Sequence, residues 1–200
     1  PSGKMPYEVF IPAYRDEILS DTVMVYGNVD EVELVLNGKT IRRQTADKGP
    51  DSDYIPVPNG GNGKNLHFPP FTFYGVPKER GVLKAVGYHQ GKKVAEYTVK
   101  TPGVPERLDI TYFESGKLAT KNDLLIVYVR MLDKQGVLCP VNGIPVELSV
   151  QGGEIVGPTS YPLEAGVASF LVRTGEISKI NINATGKGFS TRKSLKVGKE

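Results

Sequence analysis

The chain has 200 residues, of which 39% are hydrophobic, and its 25 basic and 22 acidic side chains leave a formal net charge of +3. A charge balance this even argues against a nucleic-acid partner, which selects a dense basic patch. No apolar run approaches the ~20 residues of a membrane-spanning helix, so we expect no membrane span.

The hydrophobic pattern has almost no helical period. Instead, 23 glycines and 15 prolines punctuate short alternating runs, which is the pattern of an all-β chain. A chain of this length forms one or two domains. In its first half we predict strands at Tyr7–Ile11, Thr22–Tyr26, Glu31–Leu36, Thr40–Arg43, Phe71–Tyr74, Val82–His89 and Val94–Lys100.

The segment Glu31–Lys39 carries the clearest local signal. Val32, Leu34 and Leu36 alternate with Glu31, Glu33 and Val35, so one face of the strand is apolar. Asn37-Gly38 then supplies the two left-handed residues that a tight type I′ hairpin favours. The pattern predicts a hairpin whose glutamates lie on the outer face of the sheet.

A short stiff linker separates the two halves. Thr101–Glu106 has two prolines and a glycine in six residues, which is typical of a domain boundary. We therefore predict one domain over residues 1–102 and a second over residues 103–200. The fold class that follows is all-β, with two consecutive immunoglobulin-like β-sandwich domains.

The second half restarts the alternation at Leu108. Further strands are predicted around Leu124–Met131, Val146–Val150, Ala168–Val172 and Ile180–Ala184, with a turn at Asp133–Gly136 and a solvated last strand in Arg192–Lys199. Apolar residues occupy both faces of Leu124–Met131, and such a strand is typically buried on both sides.

Two sets of residues resemble known families. Gly27-Asn28, Asp30–Leu34, Leu36–Lys39 and Gly81–Gly91 resemble a β-sandwich module that follows the catalytic barrel in family-two glycoside hydrolases, the β-galactosidase-like enzymes. Leu125–Val150, Glu164–Ala168 and Ile180–Ala184 resemble the bacterial Ig-like repeats of the invasin and intimin type. The two modules occur in this order in that hydrolase family.

The resemblance implies a larger bacterial enzyme that cleaves a β-linked glycoside by the retaining route, in the periplasm or outside the cell. Because Tyr7–Ile11 already reads as a strand, we expect the chain to be a fragment whose catalytic barrel precedes Pro1. Its expected partner is that barrel, and its expected role is to support the barrel and border the substrate cleft.

We predict no catalytic residue, metal site or cofactor in the chain itself. Glu31 and Glu33 are spaced like a carboxylate pair, but a solvated strand face does not raise a pKa as general acid catalysis requires. Asp and Asn residues crowd the segment 44–70 without a calcium-loop spacing, and polar loops favour these residues for turns alone. The single cysteine, Cys139, is expected to be buried and structural.

The segment Gln44–Pro70 is long, polar and without periodicity, and such loops are often functional. Tyr54 and Tyr74 could stack on a sugar ring, and Asn65 and His67 could form hydrogen bonds with it. These four residues are our candidate glycan contacts. The alternative is a flexible surface insertion that does not contact glycan. Two other readings of the whole chain also stay open, namely an adhesin-like Ig array that binds a surface partner and an independent glycan-binding module.

Overall fold

The computed structural model describes residues 5–12, 21–47, 69–112, 119–176 and 178–198. Over these ranges the regular structure is entirely β-strand, which confirms the all-β prediction. The chain divides into two compact units, Pro1–Thr101 and Pro102–Glu200. Both units are sandwiches of antiparallel sheets, while their assignment to an accessory module and an Ig-like domain stays a prediction.

The first unit packs two sheets against each other. Its strands are β1 (Val9–Phe10), β2 (Val23–Gly27), β3 (Glu31–Leu36), β4 (Lys39–Thr45), β5 (Phe71–Phe73), β6 (Val82–His89) and β7 (Lys92–Lys100). The small sheet has the order β1-β2-β5 and the larger sheet the order β4-β3-β6-β7. Phe71 and Phe73 are fully buried, as their alternation predicts, and they pack with Val25, Leu34 and Leu83 in one core.

The second unit has two sheets of four strands. Its strands are β8 (Pro105–Tyr112), β9 (Leu124–Asp133), β10 (Pro145–Gln151), β11 (Gly153–Ile155), β12 (Ser160–Pro162), β13 (Val167–Thr174), β14 (Lys179–Gly186) and β15 (Phe189–Lys196). The sheet orders are β12-β10-β14-β15 and β11-β13-β9-β8. Val127, Val129 and Met131 of β9 face Ile180 and Ile182 of β14 in a single core.

The prediction that β9 is buried on both faces is wrong. Leu125, Val127 and Val129 are buried, but Leu124 and Ile126 on the opposite face are 52% and 44% exposed. Apolar residues on both faces led us to expect that both faces of the strand would be covered. Among the described residues, nothing covers the face that carries Leu124 and Ile126. The predicted last strand does form, but it begins earlier and buries Leu195 in the core.

Cys139 is buried, as expected, and its thiol lies 3.6 Å from the carbonyl oxygen of Gly103. Burial raises the pKa of this thiol, and the nearby Asp133 carboxylate raises it further. A thiol with a raised pKa is a poor nucleophile at neutral pH. Cys139 therefore packs in the core of the second unit.

Candidate functional site

The described residues place one polar surface with an open groove on the first unit. We call it the outer face, meaning the side of the sheet β4-β3-β6-β7 that points away from the core. The groove has a volume of about 410 Å³. Its floor is apolar and its rim carries charged and hydroxyl groups; the lining residues are Val35, Gly38, Val82, Lys84, Val86, Tyr88, Lys93 and Glu96.

Strand alternation puts both glutamates of β3 on this face. Val32 and Leu34 point into the core and are fully buried. Glu31 and Glu33 occupy the alternate positions of the strand, so their side chains point outward. The register pairs Glu33 with Arg43 of β4 and with Val86 of β6. The glutamates therefore stand in the middle of the sheet, with side chains from both neighbouring strands within reach.

Glu33 is held at both carboxylate oxygens. The Thr40 hydroxyl donates to Oε1 at 2.6 Å, and the Tyr88 hydroxyl donates to Oε2 at 2.6 Å. The hydrogen bond from Thr40, with that from Tyr88, lowers the pKa of Glu33. The same contact with Glu33, together with burial, raises the pKa of Tyr88. Glu33 is thus an ionised acceptor at neutral pH.

Arg43 neutralises the second glutamate and covers the tyrosine. Its guanidinium lies 2.6 Å from Glu31 Oε2 and 3.8 Å from the centroid of the Tyr88 ring. One face of that ring is therefore occupied by a cation and is closed to a sugar. The register and alternation of the hairpin could have located Arg43 and Tyr88 beside the glutamates, although sequence reasoning named neither residue.

A separate ion cluster closes the other side of the groove. Lys93 Nζ lies 2.6 Å from Glu96 Oε2, and Lys84 Nζ lies 3.8 Å from the same oxygen. Lys93, and then Lys84, lowers the pKa of Glu96. Glu31 and Glu96 are therefore paired with cations, while Glu33 is held by two hydroxyl groups.

This arrangement is not suited to glycoside hydrolysis. The reaction needs two carboxyl groups whose environments push their pKa values apart, so that one stays protonated as the acid. Here the pKa of Glu33 is lowered, and Glu31 is paired with Arg43. The outer face presents a fixed polar network around an apolar floor, which suits packing or binding rather than acid catalysis.

The predicted glycan contacts are placed only in part. Tyr54, Asn65 and His67 lie outside the described residues. Tyr74 follows β5 and is partly exposed, but the small sheet that carries it is not the sheet with the groove. The structure therefore does not bring Tyr74 to the outer face. These four residues remain predictions.

Residues of the Gly27-Asn28 and Gly81–Gly91 motif hold β1 of the first unit in place. Asn28 Oδ1 accepts a hydrogen bond from the Glu8 amide at 2.7 Å, and its Nδ2 donates to the Pro6 carbonyl at 2.8 Å. A Cβ atom on Gly27 would lie 2.7 Å from the Glu8 carbonyl oxygen, and one on Gly87 would lie 2.8 Å from Val9 Cγ1. The motif therefore encodes strand packing.

Comparison with known proteins gives the chain its family. The model of a domain of unknown function, DUF4982, matches residues 20–95. A β-galactosidase of Rhizobium radiobacter is 30% identical over 129 residues, which are 64% of this chain and 92% of that protein. This chain belongs to the family-two glycoside hydrolases. Within that family it corresponds to a C-terminal β-sandwich region.

The chain is a small part of longer relatives. A β-galactosidase of Thermoanaerobacter pseudethanolicus is 30% identical over 176 residues, and these cover 82% of this chain but only 22% of that protein. The crystal structure of a β-glycosidase from Bacteroides vulgatus matches 97% of this chain with a TM-score of 0.76 and 16% identity, over 25% of its own chain. The latter likeness shows that the fold is shared.

The described residues contain neither a cluster of metal ligands nor a helix that could span a membrane. No three His, Cys, Asp or Glu side chains there converge as metal ligands would, and of the Asp and Asn residues in the segment 44–70 only Asp47 is described. No helix in the described ranges has the length and apolar character to cross a membrane.

Proposed function

We propose that this chain is a non-catalytic accessory region of a larger family-two hydrolase that cleaves β-linked glycosides. The observation that carries the proposal is the state of Glu33, an ionised carboxylate fixed by Thr40 and Tyr88 on an open strand face. The chemistry of the parent enzyme then belongs to its catalytic barrel. The resemblance to family-two hydrolases supports a parent enzyme that acts in the periplasm or outside the cell.

Its role in the parent is architectural. Each unit has its own apolar core, and the outer face of the first unit is a rigid surface because its charged groups are bonded to one another. A preformed polar face loses little conformational entropy when it is covered. Such a surface suits permanent packing against a neighbouring domain.

Removal of the region tests this role. The parent hydrolase is compared with a version that lacks these 200 residues, by thermal inactivation and by steady-state kinetics. We expect the truncated enzyme to inactivate at a temperature lower by at least about 5 °C, because the surface that packs against this region becomes exposed. Equal inactivation temperatures would contradict an architectural role.

We extend the proposal to the segment 48–68, which would border the substrate cleft and contact the sugar. Tyr54 would stack on a sugar, and Asn65 and His67 would donate to its hydroxyls, with Tyr74 at the base of the loop. Asp47 must be retained in any test, because its carboxylate accepts hydrogen bonds from the Thr72 amide and hydroxyl. Replacement of residues 48–65 by a short Gly-Ser link is expected to raise KM for an oligosaccharide, and an unchanged KM would leave the loop without this role.

A further inference from the structure

The outward side of the sheet β11-β13-β9-β8 carries an apolar patch. Leu124 and Ile126 of β9 are 52% and 44% exposed. Leu171 of β13 is the direct cross-strand neighbour of Ile126, and Tyr128 follows on the same side. Val156, which is 37% exposed, donates its amide to the Leu171 carbonyl and extends the patch. Together these five residues form what we call the β9 patch.

Two ion pairs lie at the ends of the β9 patch, and we call them its frame; the frame carries no net charge. Arg173 pairs with Glu154 at one end, and Arg130 pairs with Asp109 at the other. Both cations are neutralised within their own sheet, so the frame offers no net charge to a charged partner. A nucleic acid, an anionic lipid surface or an acidic peptide would find no electrostatic attraction here. The frame instead favours an apolar, uncharged protein surface.

The size of the patch selects between partners. The patch lies on β9, on β13 and just after β11, so three strands about 4.8 Å apart and an outward run of about 20 Å give an area of roughly 300 Å². A stable dimer buries about 800 Å² on each partner, so a second copy of this chain is too weakly held by the face alone. Interfaces between domains of one chain bury about 600–1,500 Å² in total, and a tether supplies a high effective concentration.

We infer that the β9 patch is the docking site for an apolar surface of another domain of the same hydrolase chain. The inference rests on the proposed function, since it requires a larger parent. It explains why β9 has apolar residues on both faces, although Leu124 and Ile126 are exposed among the described residues. The occupant covers Leu124, Ile126 and Leu171 and leaves the two ion pairs at its rim.

Side-chain footprinting tests the inference directly. The 200-residue chain and the full parent hydrolase are labelled with a photo-generated carbene, and modification of Leu171 is measured by mass spectrometry. We expect labelling of Leu171 to be at least about fivefold lower in the parent. Equal labelling in both would overturn the inference. Low labelling of Leu171 in the isolated 200-residue chain would also overturn the inference, because Leu171 would then be covered by a second copy or by the first unit.

A variant with a matched control separates docking from folding. Leu124→Thr/Ile126→Thr keeps strand propensity but removes apolar area, and Val104→Thr changes a residue that is 83% exposed and is not part of the β9 patch. We expect the double variant to restore Leu171 labelling at least about threefold in the parent and to leave the melting temperature of the isolated chain within about 1 °C. Val104→Thr should change neither, and restoration by that control would overturn the inference.

Failure of the docking site and failure of the proposed function can be distinguished. If the 200-residue chain hydrolyses glycosides by itself, its non-catalytic role fails whatever the footprint shows. If the chain is inactive and Leu171 is labelled equally in both proteins, the accessory role survives and only the docking site fails.

Discussion

Asn37 and Gly81 fit together so closely that a Cβ atom on Gly81 would lie 1.9 Å from Asn37 Oδ1. That oxygen accepts a hydrogen bond from the Val82 amide at 2.9 Å, and Asn37 Nδ2 donates to the Arg80 carbonyl at 3.0 Å. The turn residue of one hairpin thus fixes the point where β6 begins. Gly81 has a φ of +137°, which an L side chain adopts only with strain.

The first prediction concerns this fit. Gly81→Ala should destabilise the first unit by roughly 2–4 kcal/mol, because it combines backbone strain with displacement of the Asn37 amide. Gly91→Ala is the matched control, since Gly91 has a φ of +75° but no atom within 4 Å of its Cβ position, and about 1 kcal/mol is expected from backbone strain alone. Urea denaturation measures both, and equal losses would contradict the fit.

The second prediction isolates the turn itself. Asn37 and Gly38 have φ values of 50° and 81°, which confirms the type I′ hairpin. Gly38→Val should destabilise the first unit by roughly 1–3 kcal/mol, because a β-branched residue is disfavoured at positive φ. Gly38→Asn should cost less, since Asn tolerates this conformation. A melting temperature that is the same for all three proteins would be inconsistent with this turn.

The third prediction tests a buried carboxylate in the second unit. Asp133 accepts hydrogen bonds from the amides of Gly103, Gln135 and Val137 at 2.7–2.9 Å. Asp133→Ala leaves these donors unsatisfied and should destabilise the second unit by roughly 2–3 kcal/mol. Asp109→Ala removes only a partly exposed ion pair and should cost less than about 1 kcal/mol. The free energy of unfolding in urea distinguishes them, and the reverse order would refute this role.

The fourth prediction is the pH dependence of the same residue. Burial of Asp133 raises its pKa, but the amides of Gly103, Val137, Gln135 and Gly136 outweigh burial, and the pKa is lowered overall. The folded state therefore favours the ionised form. Its contribution is present in full above the unfolded pKa of about 3.9 and is lost as pH falls through the lower folded pKa. The stability gap between the wild-type chain and Asp133→Ala should narrow below about pH 4, and a gap that widens on acidification would contradict the sign.

The fifth prediction concerns the first strand. Asn28 holds the chain just before β1 through the Glu8 amide and the Pro6 carbonyl. Asn28→Ala should speed amide hydrogen exchange in β1 by about tenfold, since two hydrogen bonds contribute about 1–2 kcal/mol to keeping it closed. Asn183→Ala is the control, because the Asn183 side chain lies on an exposed face and makes only a long contact, 3.5 Å, with the Ser149 hydroxyl. Unchanged exchange in β1 would remove Asn28 from this role.

Local pattern was enough to predict the strands that alternate over six or more residues. β3 and β6 have the predicted bounds, Glu31–Leu36 and Val82–His89, because one face of each is continuously apolar. The strands β11 and β12 were missed, because Gly153–Ile155 and Ser160–Pro162 each contain a single large hydrophobic side chain and therefore show no alternation. Their position is set by pairing with β13 and β10, and this pairing leaves no alternation in the sequence of the short strands themselves.

The candidate site was less accessible to sequence reasoning. Alternation correctly put Glu31 and Glu33 on the outer face, but their partners Arg43 and Tyr88 depend on cross-strand register, which includes bulges at Leu34/Val35 and Gly87/Tyr88. The exposed face of β9 was misjudged for a different reason. A hydrophobic pattern records that a face is suited to burial, and it does not say which molecule covers it.

We propose that Glu31 and Glu33 do not act as a catalytic carboxylate pair and that the 200-residue chain has no glycosidase activity of its own. The most direct measurement assays the 200-residue chain, with its fold checked by circular dichroism, against a panel of nitrophenyl β-glycosides. We expect no release of nitrophenol above the rate without protein, and the same result for the Glu31→Gln and Glu33→Gln variants. Turnover by the wild-type chain that either substitution abolishes would contradict it.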